Sequence, residues 1–127
     1  MNLEQLSSLL NANPDFTSSG KYFDGAIQLE IGADRIWLKV FMGKAILVTR
    51  TPPPFAYTFS IKGSVEDWKF ALVGNKSRFR EAFFTGRLKV EGNTVEYSRI
   101  GKAVNGLSEV LRQLANENPS VLEGKPT

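Results

Sequence analysis

Residues 61 to 93 constrain the fold more than any other part of this chain. Ser64 and Asn93 each stand three residues before an acidic residue, and this capping-box spacing marks the start of a helix. Between them, the sequence RLKVE at positions 87–91 alternates polar and apolar residues and has a glycine at either end, which is typical of a short strand with one buried face. The segment therefore predicts a helix, an aromatic-rich helix, a short strand and a final long helix, in that order.

The aromatic-rich helix and the strand that follows it carry a family resemblance. Residues 82–93 read AFFTGRLKVEGN, which resembles the "AFF-x-G-[KR]-L-K-[VI]-x-G-[ND]" pattern of the sterol carrier protein type two family, a group of small lipid-binding domains. The resemblance extends over residues 16–114. It implies an α+β fold with helices covering one face of a five-stranded, mostly antiparallel sheet of order 3-2-1-4-5. The helical connection at 63–85 is long enough for a crossover, so we expect the last strand to run parallel to the fourth.

The first half of the chain predicts a meander of strands at 27–31, 36–42 and 45–50, with Gly43 opening a two-residue type II′ turn. Prolines at 52–54 lack the N–H that a strand ladder needs, so residues 51–54 form a stiff extended link of about 12 Å. Such a link is long enough to bring a fourth strand, residues 55–62, beside the first one, although a simple corner is equally compatible with the sequence.

The length of 127 residues predicts a single domain spanning 1–127. Leucines at helical spacing predict an N-terminal helix within residues 1–14, and the absence of apolar periodicity at 116–127 predicts a flexible tail. No apolar stretch is long enough to span a bilayer and the first residues do not resemble a secretory signal, so we expect a soluble cytoplasmic protein.

The side chains available for chemistry favour binding over catalysis. The sequence contains no histidine and no cysteine, which removes the usual general base, the thiolate nucleophile and the commonest metal ligands. Six acidic residues fall at turns and helix starts, where capping and Asx turns explain them: Asp15, Asp24, Asp34, Glu66, Asp67 and Glu96. We therefore expect a noncatalytic protein without cofactor or metal. The net charge of +3 is too small to indicate nucleic-acid binding.

The periodicity of the apolar residues alone is explained by an ordinary packed core. The resemblance implies instead a lipid (a sterol, a fatty acyl chain, an acyl-CoA or an isoprenoid) held in a tunnel between the sheet and the helices. The wall residues that it implies are Phe59, Trp68, Phe83, Phe84, Val104, Leu107 and Leu111. Arg78, Arg80 and Lys102 form a basic cluster that is either a solvated face or a contact for an anionic head group or membrane.

A second hypothesis is an accessory module that associates with itself or with enzymes of lipid, quinone or steroid metabolism. Trp37 and Phe41 alternate with the predicted core residues of the second strand and would form an exposed apolar interface, unless a bulge or the N-terminal helix covers them. Gly101 and Gly106 disfavour a regular last helix. They indicate a bend that admits lipid, a helix break or a site of close packing.

Overall fold

The computed structural model describes residues 1–54 and 56–123, and in this part of the chain five strands form one sheet. The order across the sheet is β3-β2-β1-β4-β5, which confirms the order that the resemblance implied. The strands are β1 Gly25–Ile31, β2 Asp34–Phe41, β3 Lys44–Thr49, β4 Phe59–Gly63 and β5 Lys89–Gly92.

The direction of the last strand corrects the sequence interpretation. β4 pairs with β5 antiparallel, and the parallel pair is β1 with β4, so the prediction of a last strand parallel to the fourth is wrong. The chain leaves β4 at Gly63 and returns beside Gly63 at Arg87, and Lys62 pairs with Lys89 across the two strands. A parallel pair would require the connection to end at the opposite end of the sheet.

The proline link crosses the sheet and does not form a simple corner. β1 and β3 both run antiparallel to β2, whereas β4 runs parallel to β1, so residues 50–58 must return along the full length of the strands. Fully extended, this link reaches about 30 Å, which is sufficient. The Thr58 amide donates a 2.7 Å hydrogen bond to the Ala26 carbonyl just before β4 begins at Phe59. The strand was expected to begin at Phe55, which lies outside the described residues.

Helices cover one face of the sheet, as predicted. In β2 the residues that point to this face are Ile36, Leu38 and Val40, and they alternate with exposed or partly exposed neighbours. In the described part of the chain the helices are α1 Leu3–Ala12, α2 Pro14–Ser19, α3 Val65–Leu72, α4 Arg78–Phe84, α5 Thr94–Arg99 and α6 Gly101–Glu117, with 3₁₀ turns at Gly20–Tyr22 and Pro119–Glu123.

Both predicted capping residues begin helices. Ser64 Oγ accepts from the Asp67 amide at 3.0 Å and the Asp67 carboxylate accepts from the Ser64 amide at 3.1 Å, so α3 has a complete capping box. Asn93 Oδ1 accepts from the Glu96 amide at 3.1 Å at the start of α5. The Glu96 carboxylate instead binds Arg99 at 2.7 Å, and this hydrogen bond lowers the pKa of Glu96 below its usual value.

The two glycines of the last helix have different roles. The predicted long helix is divided at Ile100, so that Gly101 begins α6 after a break from α5. Gly106 is a site of close packing, because a Cβ there would lie 2.5 Å from Asn13 Oδ1 and 2.7 Å from the Phe16 amide nitrogen of α2. A helix break therefore explains Gly101, and close packing against α2 explains Gly106.

The N-terminal helix lies within the predicted range and protects an edge of the sheet. α1 packs on β3, the strand at one edge, and the Asn11 side chain binds both backbone groups of Ala45. Asn11 Oδ1 accepts from the Ala45 amide at 2.8 Å and Asn11 Nδ2 donates to the Ala45 carbonyl at 3.3 Å. The Asn11 side chain therefore occupies backbone groups of the edge strand that could otherwise pair with a strand of another chain.

The segment expected to be a flexible tail is packed over most of its length, and this corrects the sequence interpretation. α6 continues to Glu117, and the 3₁₀ turn that follows buries Val121 and Leu122. Glu123 binds Lys69 of α3 at 3.0 Å, and this hydrogen bond raises the pKa of Lys69. Two apolar residues are too few to show a period, which is why the pattern missed them. Residues 124–127 of the expected tail lie outside the described residues.

Candidate functional site

An open cleft of about 930 Å³ lies between the helices. One wall comes from the end of α3 and from α4, and the opposite wall comes from α5 and the first three turns of α6. Its apolar lining residues are Ala71, Leu72, Phe79, Phe83, Phe84, Tyr97 and Val104. Binding sites for small molecules are commonly apolar clefts of about 300 to 1,000 Å³ with a few polar groups, so this cleft is the candidate site.

An aromatic stack connects the cleft to the core. Phe79 and Phe83 of α4 meet edge to face at 5.1 Å between ring centroids, and Phe83 lies 5.8 Å from Tyr97. Tyr97 in turn meets the fully buried Phe59 of β4 edge to face at 5.6 Å. Phe59 therefore supports the floor of the cleft from below, whereas the other three rings form its surface.

Burial raises the pKa of the Tyr97 phenol above its ordinary value. Desolvation is the cause, because a phenolate loses more hydration than a phenol when it enters an apolar wall. The neutral phenol is therefore the form that this apolar wall favours.

The rim of the cleft carries an excess of positive charge. The basic lining residues are Lys76, Arg80, Lys102 and Arg112, whereas the acidic ones are Asp15 and Glu109. The guanidinium of Arg112 donates to the Gly74 carbonyl at 3.4 Å, which ties α6 to the turn after α3. A cleft with an apolar floor and a basic rim matches an amphiphile that has a negative or polar head.

The residues implied as tunnel walls divide into two groups. Phe83, Phe84 and Val104 line the cleft, and the Phe84 side chain is 84% exposed, which leaves an aromatic ring beside the opening. The other four are buried in the core and do not line it: Phe59, Trp68, Leu107 and Leu111. Trp68 also donates from Nε1 to the Glu30 carbonyl of β1 at 2.8 Å, so its position is set by packing between the sheet and α3.

The predicted head-group residues divide in the same way. Arg80 and Lys102 lie on opposite walls of the cleft. Arg78 does not line it, because its guanidinium lies over the Phe70 ring, 5.2 Å from the centroid. Sequence reasoning missed Tyr97, although a signal exists: Tyr97 precedes Ile100 by three residues and so continues the apolar stripe of the last helix.

A smaller depression of about 440 Å³ lies at the start of α3 and is polar. Its charges are matched, since Glu30 binds Arg35 at 2.8 Å and Lys62 at 3.6 Å, and Asp67 lies 3.6 Å from Arg87. The three acidic and three basic lining residues balance, so the depression offers no net charge to a guest. Among the described residues no group of acidic side chains is arranged to hold a metal ion, and no helix has the length and hydropathy to cross a bilayer.

The predicted interface residues lie on the sheet face opposite the helices. Trp37 pairs with Thr49 and Phe41 pairs with Lys44 across β2 and β3, so that both aromatic side chains point away from the core. Trp37 is partly exposed and Phe41 is 46% exposed. Neither the N-terminal helix nor a bulge buries them, and their role in association stays a prediction.

No family model matches this sequence, and no curated protein matches it either. Several solved structures do match. A crystal structure of sterol carrier protein 2 superposes with a TM-score of 0.71 at 16% identity, over 87% of this chain and 92% of that one. The chain has the sterol carrier protein 2 (SCP2)-like fold.

Two further structures with the SCP2-like fold are similar to this chain. A conserved hypothetical protein from Thermus thermophilus has a TM-score of 0.67 at 16% identity, over 87% of this chain and 83% of its own. A UbiJ-SCP2 ubiquinone synthesis protein has a TM-score of 0.59 at 12% identity, over 85% of this chain and 90% of its own. Identities this low establish the SCP2-like fold alone, so the function must be argued from the cleft.

Proposed function

We propose that this protein is a noncatalytic lipid-binding protein that holds the apolar part of an amphiphile in the cleft between α3–α4 and α5–α6. The observation that carries the proposal is the cleft itself: about 930 Å³ with an aromatic wall and a basic rim, in a fold shared with sterol carrier protein 2. The candidate ligands are a sterol, a fatty acid, an acyl-CoA or an isoprenoid lipid.

The energetics of such a cleft suit an aliphatic chain. Each methylene removed from water contributes about 0.8 kcal/mol, so about ten methylenes contribute about 8 kcal/mol before the entropic costs of association. Because this attraction has no direction, the apolar wall accepts several chain types. Selectivity then comes from the polar rim, where Arg80 and Lys102 stand on opposite walls.

The test uses delipidated protein and a fluorescent fatty acid. Phe84→Ser removes an exposed ring from the cleft wall without disturbing the core, and we expect roughly fivefold to tenfold weaker binding. Val95→Ser is the matched control, because Val95 is also largely exposed but does not line the cleft. Equal affinities for both variants and the wild type, or no uptake of any lipid class, would contradict the proposal.

The rim is tested separately with charge reversals. Arg80→Glu together with Lys102→Glu should weaken binding of a fatty acid and reduce its salt dependence, while binding of the corresponding fatty alcohol changes little. Arg78→Glu serves as the control, because Arg78 has the same charge and lies outside the cleft. If Arg78→Glu has the same effect as the double variant, general surface charge and not the rim selects the anion.

A second candidate function is an accessory role beside an enzyme of lipid, quinone or steroid metabolism. Two observations favour it: the same fold occurs in a ubiquinone synthesis protein, and the open sheet face presents Trp37 and Phe41. Native mass spectrometry of protein from its own host separates the two functions, since a copurified lipid supports the carrier and a complex with an enzyme supports the accessory role. Trp37→Glu with Phe41→Glu should abolish such a complex and leave lipid binding unchanged.

A further inference from the structure

The hairpin between β2 and β3 displays four large apolar side chains at one end of the molecule. Phe41 is 46% exposed, Met42 65%, Ile46 59% and Leu47 44%. Single exposed apolar residues are ordinary on protein surfaces, but a cluster of them indicates contact with something apolar.

Met42 occupies a position that its backbone does not favour. The sequence predicts a turn at Gly43 and Lys44, with Met42 still in the strand, but in the structure the turn residues are Met42 and Gly43, with φ angles of 51° and 80°. Positive φ at both positions is the type I′ turn, which prefers asparagine, aspartate or glycine at its first central residue. Met42 therefore carries backbone strain and also exposes an apolar side chain, two costs that asparagine would avoid.

A β-bulge in β3 exposes further apolar side chains of this hairpin. The register shifts between Lys39 and Val40: Val40 pairs with Ala45 and Lys39 pairs with Leu47, so Ile46 has no partner in the ladder. Ile46 and Leu47 both reach solvent as a result, although successive residues of a regular strand point to opposite faces. A bulge here redirects an apolar side chain outward.

The hairpin is held firmly in place. Asn11 binds both backbone groups of Ala45. Gly43 leaves no room for a side chain, since a Cβ there would overlap the Thr17 carbonyl of α2. The apolar side chains therefore project from a rigid support and need no rearrangement to be presented.

The charges around the hairpin are mainly positive. Lys39, Phe41, Lys44 and Leu47 share the outer face, so basic and apolar side chains alternate there. Lys39 binds Asp24 at 3.0 Å, and Asp24 is the acidic residue that meets this face. In the sequence no aspartate or glutamate occurs between Asp34 and Glu66.

We propose that the β2–β3 hairpin is a docking element for an anionic membrane surface, in which Phe41, Met42, Ile46 and Leu47 enter the interface and Lys44 contacts the lipid head groups. A short hairpin with four exposed apolar side chains fits a bilayer better than a stable protein partner, because a stable protein interface buries about 800 Å² on each side. Interfacial insertion reaches only about 5 to 10 Å, or two to three residues of a strand at about 3.3 Å each. This surface is distinct from the cleft, so the inference does not depend on which lipid the cleft holds.

Sedimentation with two kinds of vesicle tests the proposal: phosphatidylcholine alone, and phosphatidylcholine mixed with phosphatidylglycerol. We expect binding to the mixed vesicles, roughly tenfold weaker for Met42→Asn and lost for Met42→Asn with Ile46→Thr. Lys44→Gln should weaken it about fivefold. Val95→Ser, on the helix beside β5 at the opposite side of the sheet, is the control and should bind as the wild type does.

Met42→Asn also separates docking from folding, because asparagine suits the type I′ turn and should leave the melting temperature unchanged or higher. The sequence has no cysteine, so Met42→Cys carries a single environment-sensitive dye whose emission should shift to the blue on mixed vesicles, whereas the same dye at Val95→Cys should not respond.

Wild-type affinity of Met42→Asn with Ile46→Thr for the mixed vesicles would overturn the proposal, as would equal binding to neutral vesicles. A dimer or a complex that this double variant abolishes, in the absence of vesicle binding, would also overturn it and assign the hairpin to a protein partner. Phe84→Ser should retain vesicle binding, so a failure of the cleft proposal remains distinguishable from a failure of this one.

Discussion

Replacing Gly106 with alanine tests the close contact between α2 and α6. The added Cβ would lie 2.5 Å from Asn13 Oδ1 and 2.7 Å from the Phe16 amide nitrogen, which is closer than carbon atoms are found to these groups. These two atoms already form the 3.0 Å hydrogen bond that caps α2. The methyl group must therefore break this cap or push α2, with its buried Phe16, away from α6.

The expected effect follows from opposing terms. Alanine in a helix interior gains about 1 kcal/mol over glycine. Loss of the cap costs about 1 kcal/mol and overpacking costs about 1 to 3 kcal/mol, so we expect a net destabilisation of about 1 to 3 kcal/mol. With an unfolding entropy of about 2.1 cal/mol/K per residue, a chain of this length should lose about 4 to 11 °C in melting temperature.

Urea denaturation and thermal melting measure this change in stability. Gly101→Ala is the matched control: a Cβ at position 101 meets no atom within 4 Å, so we expect no loss of stability. If Gly106→Ala is as stable as Gly101→Ala, the contact between the two helices is not tight. The bending function considered for these glycines would then be the better explanation of Gly106.

Three other predictions concern the cleft, the C-terminal turn and the edge of the sheet. Because burial raises the pKa of Tyr97, its contribution to stability is complete below pH 10 and is lost as the pH rises from there toward the folded-state pKa. Tyr97→Phe should therefore remove the most alkaline step of a phenolate absorbance titration. An unchanged titration would contradict this prediction. Leu122→Ala should cost about 2 to 4 kcal/mol in urea denaturation because Leu122 is fully buried, whereas a frayed tail predicts no loss. Asn11→Ala should cost about 1 to 3 kcal/mol and promote concentration-dependent association through β3; Asn11→Asp, which keeps the acceptor for the Ala45 amide, should retain more stability in the same assay.

The order of the strands was predictable, because the AFFTGRLKVEGN segment carries the resemblance and the resemblance implies the order. The direction of β5 was not predictable in the same way. The length of a connection only permits a crossover, and the two helices between β4 and β5 bring the chain back to Arg87 beside Gly63. The position of the turn at Met42 was not predictable either, because the alternation of apolar and polar residues looks the same whether a residue ends a strand or begins a turn.

The candidate site was only partly predictable for a physical reason. Periodicity identifies the apolar face of a helix but not whether that face meets another element or an opening. The resemblance implied both Trp68 and Phe83 as wall residues, yet Trp68 is packed against the sheet and Phe83 faces the cleft. Which of the two occurs depends on the distance between helices that are remote in sequence. Sequence periodicity in particular does not predict which side of α4 is exposed.

The outer walls of the cleft have a consequence for how such a protein changes over time. In α4 Ala82 is the fully buried side chain and α5 has none, whereas Phe79, Phe83 and Tyr97 pack partly against the core. Exposed wall positions such as Phe84 can therefore be replaced without unfolding the molecule. The residues that stabilise the fold are therefore different from the exposed wall residues that would select a guest. A combinatorial library at the exposed wall positions of these two short helices would therefore sample new guests on an unaltered scaffold, and natural variants of this chain are free to diversify there first.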